Sequence, residues 1–427
     1  MVGQIDNSKE NVKLVEIGEI AFLAIIGILC ILIGYNATLN NIIPLIIFAI
    51  ILKDINKDRF YCYFVVIMLF ENQLQLPFGI GTIMRPYLFL ILIKFIADKN
   101  KITTSYLFIT VPLVLCEAYL VFSGNYNFSI IINSLIIILI HSKTLSKKEL
   151  LVKEFFYLGF VAIFFGLYGV VHNIFIYSDT MIGGTYSIFK RFSGAIYDPN
   201  YSSLIYNMGI ISLLFLKQYI NAMLRAVCLV SLFIFLLLTV SVQGITGSLL
   251  VISLFLLRKR KYKEVIKWMP LIIAILIVIL NSSLINPYIL RINEKLGSRG
   301  DYSNITSYRS EINRNYFEYF IENYSIGEKF FGGDVITGDI TQKTKYVQIF
   351  GNVSHNSYID MLFAVGFLGI LIIVIGYIYT TIRCFKLYIK NREDVYLGIV
   401  YQKILVLYFG LGLSLFPLRY WIYLYLW

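Results

Sequence analysis

Apolar runs recur from near the first residue to the last, separated by short polar or basic punctuation. Each is close to the roughly 17–25 residues that cross a bilayer as a helix. The pattern predicts helices near residues 18–35, 40–52, 60–76, 84–97, 105–122, 128–141, 154–177, 200–216, 224–241, 246–257, 267–283, 356–381 and 396–415. A further stretch, Leu418 to Trp427, is short for a span. About 12–14 transmembrane helices are therefore expected, which leaves the side of the C-terminus open. Stretches such as Trp268 to Leu280 are apolar on every face. A membrane barrel would instead alternate apolar and polar residues in segments of about ten. The expected fold class is an all-α polytopic membrane protein.

One connection stands apart, residues 284–354, and it divides a single membrane domain into helices over 1–283, a large loop, and C-terminal helices over 355–427. Long connections are where binding and chemistry concentrate. Within it Ile305, Arg309, Ile312, Tyr316 and Phe320 share one helical face, with Glu311, Arg314, Glu318 and Glu322 mainly off it. This reads as an amphipathic helix lying against the outer membrane surface. The arginine in its apolar stripe either turns toward the protein body or snorkels from the surface. The sequence holds no inverted pair of broken helices of the transporter kind.

Composition removes the soluble alternative: 58% of residues are hydrophobic and 15% charged, where a soluble domain carries about 25% charged. The net charge of +12, from 37 basic against 25 acidic residues, invites a nucleic-acid reading until the bases are located. Alternate connections collect Lys53, Lys57, Arg59, Lys99, Lys101, Lys143, Lys147, Lys148, Arg258, Lys259, Arg260, Lys261, Lys263, Arg383, Lys386, Lys390 and Arg392. That side is expected to be cytoplasmic, together with the N-terminus. The excess is a positive-inside belt, and nucleic acid is not an expected partner. The five cysteines lie in or beside apolar segments without metal-ligand spacing and read as small hydrophobes. The first sixteen residues mix acids and bases with no small-residue cleavage site, so a removable signal peptide is not expected.

The opposite short connections hold Arg85, Lys190, Arg191 and Arg419, bases on the wrong side for that rule. Arg191 opens Arg191-Phe192-Ser193-Gly194, followed by Asp198-Pro199-Asn200 in the external connection 178–199 and the helix after it. Asp-Pro is a helix start, with the carboxylate as cap and proline in the first turn. Arg191 reads either as a headgroup anchor or as a cation facing a lipid-borne anion. The long loop closes on Ser354-His355-Asn356-Ser357-Tyr358-Ile359-Asp360. His355 is expected in the first turn of the next span, where the helix dipole keeps imidazole neutral and able to act as a base near pH 7. His141 and His172 are expected to be structural. Glu71, Glu117 and Asp360 are acids within predicted spans, with Arg85 a candidate partner for Glu71.

Taken together, these segments resemble the O-antigen ligase and polymerase family of bacterial membrane glycosyltransferases. The likeness covers roughly residues 190–380. It rests on Arg191-Phe192-Ser193-Gly194 with Asp198-Pro199-Asn200, on Ser307-Tyr308-Arg309-Ser310 in the large loop, and on His355-Asn356-Ser357-Tyr358 leading to Gly366-Phe367-Leu368-Gly369. Two departures stand out: Ala364 occupies a place where many members carry an acid, and Ser241-Val242-Gln243-Gly244 replaces a Ser-Arg-Gly. The resemblance implies the C-class membrane glycosyltransferase fold and metal-independent, cofactor-free transfer at the external face of the cytoplasmic membrane. Donor and acceptor would be undecaprenyl-diphosphate-linked glycans, with chain-length regulators and flippases as possible partner proteins. It implies Arg191 and Arg309 as a diphosphate clamp, because the guanidinium fork binds phosphate oxygens and stays charged. His355 becomes the base or acceptor-orienting group. Asp198, Asn200, Asn356, Tyr358, Asp360 and Arg85 are the expected substrate contacts. Polymerase is the leading expectation, ligase the alternative, and a lipid-linked oligosaccharide flippase the alternative of another class.

Overall fold

The computed structural model describes residues 17–77, 81–98, 147–182, 185–196, 198–258, 309–332 and 356–411. The expected spans at 105–122, 128–141 and 267–283, together with Leu418 to Trp427, lie outside the described residues, as do Glu117, His141 and His355.

Helices α1 (Ile17–Leu32) and α2 (Ala37–Lys53) form the first pair, and Asn36 caps α2 by accepting the Leu39 amide. The run expected as a span over 60–76 departs from expectation. A 3₁₀ turn (Asp58–Cys62) and α3 (Tyr63–Leu69) end before a small hairpin, β1 (Gln75–Leu76) with β2 (Gly81–Thr82). Twelve helical residues rise only about 20 Å, short of a hydrocarbon core of about 30 Å. The chain reverses inside the body instead, and α4 (Met84–Ala97) returns it.

Helix α5 (Lys148–Val171) is the hub, packing on α1, α3, α6 (Pro199–Phe215) and α7 (Ala222–Thr239). It approaches α6 closely because two glycines face each other: a methyl at Gly209 would sit 3.7 Å from the Gly159 Cα. Between lipid tails there is little hydrophobic force between helices, so such close packing and buried hydrogen bonds supply cohesion. The remaining elements are α8 (Val242–Arg258), α9 (Arg309–Asn323), α10 (Ile326–Phe331), α11 (Ser357–Asn391) and α12 (Asp394–Gly410).

The expected span 154–177 starts at Lys148 and stops at Val171. His172, expected inside it, is its C-cap. Beyond it lies an antiparallel hairpin, β3 (Phe175–Ile182) with β4 (Thr185–Phe192), in register from Phe175 opposite Phe192 to Ile182 opposite Thr185. The all-α expectation thus gains a β-ribbon at one end of the bundle. Alternation of β-branched and aromatic residues over Phe175 to Tyr186 favours a strand once the chain leaves α5.

Helix ends sort into two sets. At one end Lys147 pairs with Asp58 (2.8 Å), Lys148 with Glu393 (2.5 Å), Lys153 with Glu19 (3.6 Å) and Arg59 with Asp54 (2.5 Å). Burial raises the Asp54 carboxyl, but Lys57, Tyr63 and Arg59 outweigh it and hold it below its ordinary range. Glu393 is likewise held low against burial by Lys148, Tyr219 and Gln218. At the other end sit the β3–β4 hairpin, the start of α6, the α7–α8 turn and the start of α11.

Three of the described helical segments are long and apolar enough to cross a membrane: Lys148–Val171, Ala222–Thr239 and Val365–Asn391. Helix α11 breaks at Gly366, whose φ is +64°. Exposed apolar ridges run along α7 (Met223, Val227, Val230, Ile234) and α11 (Leu371, Val374, Ile375, Ile378, Ile382). Ridges of that size suit lipid, not water. The chain is a helical membrane protein.

Candidate functional site

Phe192 is the anchor of the hairpin end. It is fully buried, with ring centroids 5.7 Å from Phe175 and 5.9 Å from Phe235. Neighbouring strand residues project to opposite faces, so fixing Phe192 sets the direction of Arg191. The half-buried Arg191 guanidinium donates through Nε to the Thr239 carbonyl (3.2 Å) and through Nη2 to Asn200 Oδ1 (3.0 Å). Both of these acceptors are neutral, and together they orient the guanidinium. Ser241 Oγ donates to the same Asn200 oxygen at 3.0 Å. Val240, at φ +51°, makes the left-handed turn that brings the Thr239 carbonyl and Ser241 hydroxyl to one place.

The four residues after Phe192 are shaped by a glycine that is required. Gly194 has φ +58°, and a methyl there would lie 2.5 Å from Phe165 Cε1 and 2.8 Å from Tyr206 Oη. This left-handed turn lets the chain pass against α5 and enter α6. Asp198 caps α6 as the Asp-Pro pair predicts, its Oδ1 accepting the amides of Asn200 (2.7 Å) and Tyr201 (3.1 Å). Ser202 Oγ closes the loop on the Ser193 carbonyl. Gln73 Nε2 donates to the Ala195 carbonyl at 2.7 Å, docking the small β1–β2 hairpin against this turn. Arg85 follows that hairpin in the first turn of α4, with an exposed side chain whose Nη1 would lie 3.7 Å from a methyl at Gly81. Glu71, its expected partner, accepts a hydrogen bond from Thr82 Oγ1 at 3.4 Å.

The second motif is built on the start of α11. Asn356 is the N-cap, accepting the Tyr358 amide at 2.9 Å, and the helix begins at Ser357. The helix whose first turn was expected to hold His355 thus has its first turn from Ser357 onward. Tyr358 Oη donates to the Leu407 carbonyl (2.9 Å), tying α11 to the end of α12. Asp360 is buried, and after burial itself its charge is the cause that pushes the Tyr316 phenol of α9 up. The stripe of the amphipathic helix meets the protein body. Its stripe residues Tyr316 and Phe320 are fully buried and pack on Leu362 and Phe363. Arg309 opens this helix. Helix α10 then docks on the α11 break, where a methyl at Gly366 would lie 2.5 Å from the Phe330 carbonyl oxygen.

The structure thus joins Arg191 to Asn200 and brings Asp360 near the helix that Arg309 begins. The contacts of Thr239, Ser241 and Gln73 were missed in the sequence, since nothing local marks a backbone carbonyl as an arginine's partner, or a distant hydroxyl or amide as a support of the same loop. The departure at Ser241-Val242-Gln243-Gly244 acquires a role. Gln243 Nε2 donates to the Tyr408 and Phe409 carbonyls (3.1 and 3.0 Å), so it joins α8 to α12.

Fold and site together define a helical membrane protein with an oriented arginine at one end of its bundle. Residues 226–374 match the family model described as O-antigen ligase, and this match supports assigning the chain to the O-antigen ligase and polymerase family. The match covers roughly a third of the chain, from α7 into α11. It includes Thr239, Ser241, Arg309, His355 and Asp360, while Arg191 and Asn200 lie outside it. No curated protein and no solved structure matches the chain. Members of the family are glycosyltransferase-like enzymes, ligases and polymerases acting on lipid-linked glycans.

Proposed function

We propose that the protein polymerises undecaprenyl-diphosphate-linked repeat units into a capsular, exo- or O-antigen polysaccharide at the external face of the cytoplasmic membrane. The observation that carries this reading is the Arg191 guanidinium, oriented by Asn200 and Thr239 at the bundle end opposite the lysine-rich one. A cytoplasmic lysine-rich end would follow the positive-inside rule, and this supports the reading that Arg191 faces an external lipid diphosphate.

In the transfer step an acceptor hydroxyl oxygen bonds to the anomeric carbon of the donor glycan. The bond from that carbon to the diphosphate oxygen breaks, and the diphosphate leaves with the electron pair. The acceptor proton passes to His355, and the growing charge on the leaving group is held by Arg191 and Arg309. Diphosphate is already a good leaving group, so preorganised cations supply the main electrostatic help. Asn200 positions Arg191, while Asp360, Asn356 and Tyr358 organise the acceptor side and Arg85 borders the donor.

The test is chain growth by the purified protein in nanodiscs supplied with lipid-linked repeat units. Ladders from wild type, with at least hundredfold slower growth for Arg191→Ala, Arg309→Ala and His355→Ala, are expected. Full growth by any of the three removes that residue's role. A single transfer onto a lipid-core or protein acceptor with no ladder identifies a ligase, and movement of the lipid-linked glycan without transfer identifies a flippase.

A further inference from the structure

Behind the β3–β4 hairpin, where α5 ends, lies a cavity of about 420 Å³ lined by Gly34, Tyr168, His172, Asn173, Ile174 and the first strand residues Phe175 and Ile176. This is within the range of small-ligand sites. Its wall is aromatic: the His172 ring lies 4.3 Å from Tyr168 and 5.1 Å from Tyr35, centroid to centroid. Tyr35, beside the lining residue Gly34 in the chain and in ring contact with His172, keeps 59% of its surface exposed. Its polar atoms converge. Nε2 of His172 is 2.8 Å from the Ile31 carbonyl, so in the neutral ring it carries the proton and donates there. That leaves Nδ1 as an acceptor on the cavity side. Gly34, at φ +101°, lets the chain pass tightly against this group: a methyl there would lie 2.9 Å from His172 Cε1, 3.3 Å from its Nδ1 and 3.4 Å from the Tyr168 hydroxyl. Asn173 holds a left-handed φ of +50° and adds an exposed amide.

We propose that this cavity is a saccharide subsite that takes one sugar ring of the glycan. A sugar ring has an apolar face of C–H bonds and an edge of hydroxyls. The His172 ring, with the exposed Tyr35 ring packed beside it, suits the face. His172 Nδ1, the Tyr168 hydroxyl and the Asn173 amide suit the edge. Position supports the assignment: Ile176, in the cavity wall, is paired directly with Arg191 across the hairpin. Paired strands run about 4.8 Å apart, so the cavity wall at Ile176 stands one strand spacing from the Arg191 backbone. The subsite rests on the reading that the chain handles a lipid-linked glycan, and it holds a sugar beyond the diphosphate.

The test uses the full chain in nanodiscs and two readouts. The first is saturation-transfer NMR with the soluble oligosaccharide released by mild acid from the host's lipid-linked repeat unit. The second is the KM and kcat of chain growth with the intact lipid-linked unit. Tyr35→Ala should lower the oligosaccharide signal at least fivefold and raise KM by a similar factor with kcat kept, whereas Tyr35→Phe should retain both. Asn173→Gly, which keeps the left-handed backbone, should act in the same direction as Tyr35→Ala. An unchanged signal and KM in both Tyr35→Ala and Asn173→Gly overturn the subsite while leaving transfer intact. Loss of the signal in a protein that transfers nothing supports the subsite and removes the polymerase reading. A KM effect without free-oligosaccharide binding supports a subsite that serves the lipid-linked form alone.

Discussion

Asn200 offers a sharp perturbation, because its single Oδ1 accepts both Arg191 and Ser241. Asn200→Ala removes both bonds. A hydrogen bond to a charged group is worth about 1.5–3 kcal/mol. If the transition state needs that orientation, transfer should slow by roughly 10- to 150-fold, at about 1.4 kcal/mol per factor of ten. Asn200→Asp keeps the shape and places a carboxylate about 3 Å from the guanidinium. That partner grips Arg191 more firmly and competes with a diphosphate for its charge. The two variants therefore separate stability from catalysis. Thermal unfolding in nanodiscs should show Asn200→Ala less stable and Asn200→Asp at least as stable as wild type, while both lose transfer. Wild-type transfer by Asn200→Asp refutes the role of Arg191 as a phosphate-facing cation.

Three further outcomes follow from packing and charge. Gly194→Ala forces a methyl into a left-handed turn against Phe165 and Tyr206 and should cost about 2–4 kcal/mol, read as a lower unfolding midpoint. Gly366→Ala drives a methyl onto the Phe330 carbonyl, so hydrogen exchange over 326–331 should accelerate at least tenfold with little change in α5. Glu393 has a folded pKa below its ordinary 4.5, so its contribution is present above about pH 4.5 and lost as pH falls through the folded value. The wild-type unfolding midpoint should hold from pH 7 to about 5 and drop below it, and Glu393→Gln should flatten part of that drop, with Asp54 retaining the rest.

Most helices were legible because the solvent does the sorting. The backbone of a chain in lipid must satisfy itself, so apolar length alone locates α1, α2, α4, α6, α7, α8 and α12 to within a few residues at most ends. The same reasoning misplaced 60–76, where a run of suitable apolarity is interrupted by the polar stretch Glu71-Asn72-Gln73. That stretch turns the chain back, and Gln73 uses its amide to reach the Ala195 carbonyl. Hydropathy reads the average of such a segment and overlooks the turn inside it. It also overlooks a strand that begins where a helix ends, as at Phe175, since both are apolar.

The site was legible in its pieces and opaque in its assembly, for a reason visible at Arg191. Its partner Asn200 sits nine residues away and was flagged with it, but the second acceptor is a backbone carbonyl 48 residues on, at Thr239. A backbone carbonyl carries no residue-type signature. It becomes available there because Val240 turns left-handed and ends α7. Caps, by contrast, are written in short windows, which is why Asp198 and Asn356 could be placed from sequence. Their side chains are committed to helix starts at Asn200, Tyr201 and Tyr358 amides. Replacing either cap should therefore act on stability first, by about 1 kcal/mol, with transfer following only as far as the helix start moves. An Asp198→Asn variant, which retains an acceptor oxygen, should keep both stability and transfer near wild type. A hundredfold transfer loss at unchanged stability in Asp198→Asn would instead give its charge a direct part in the chemistry.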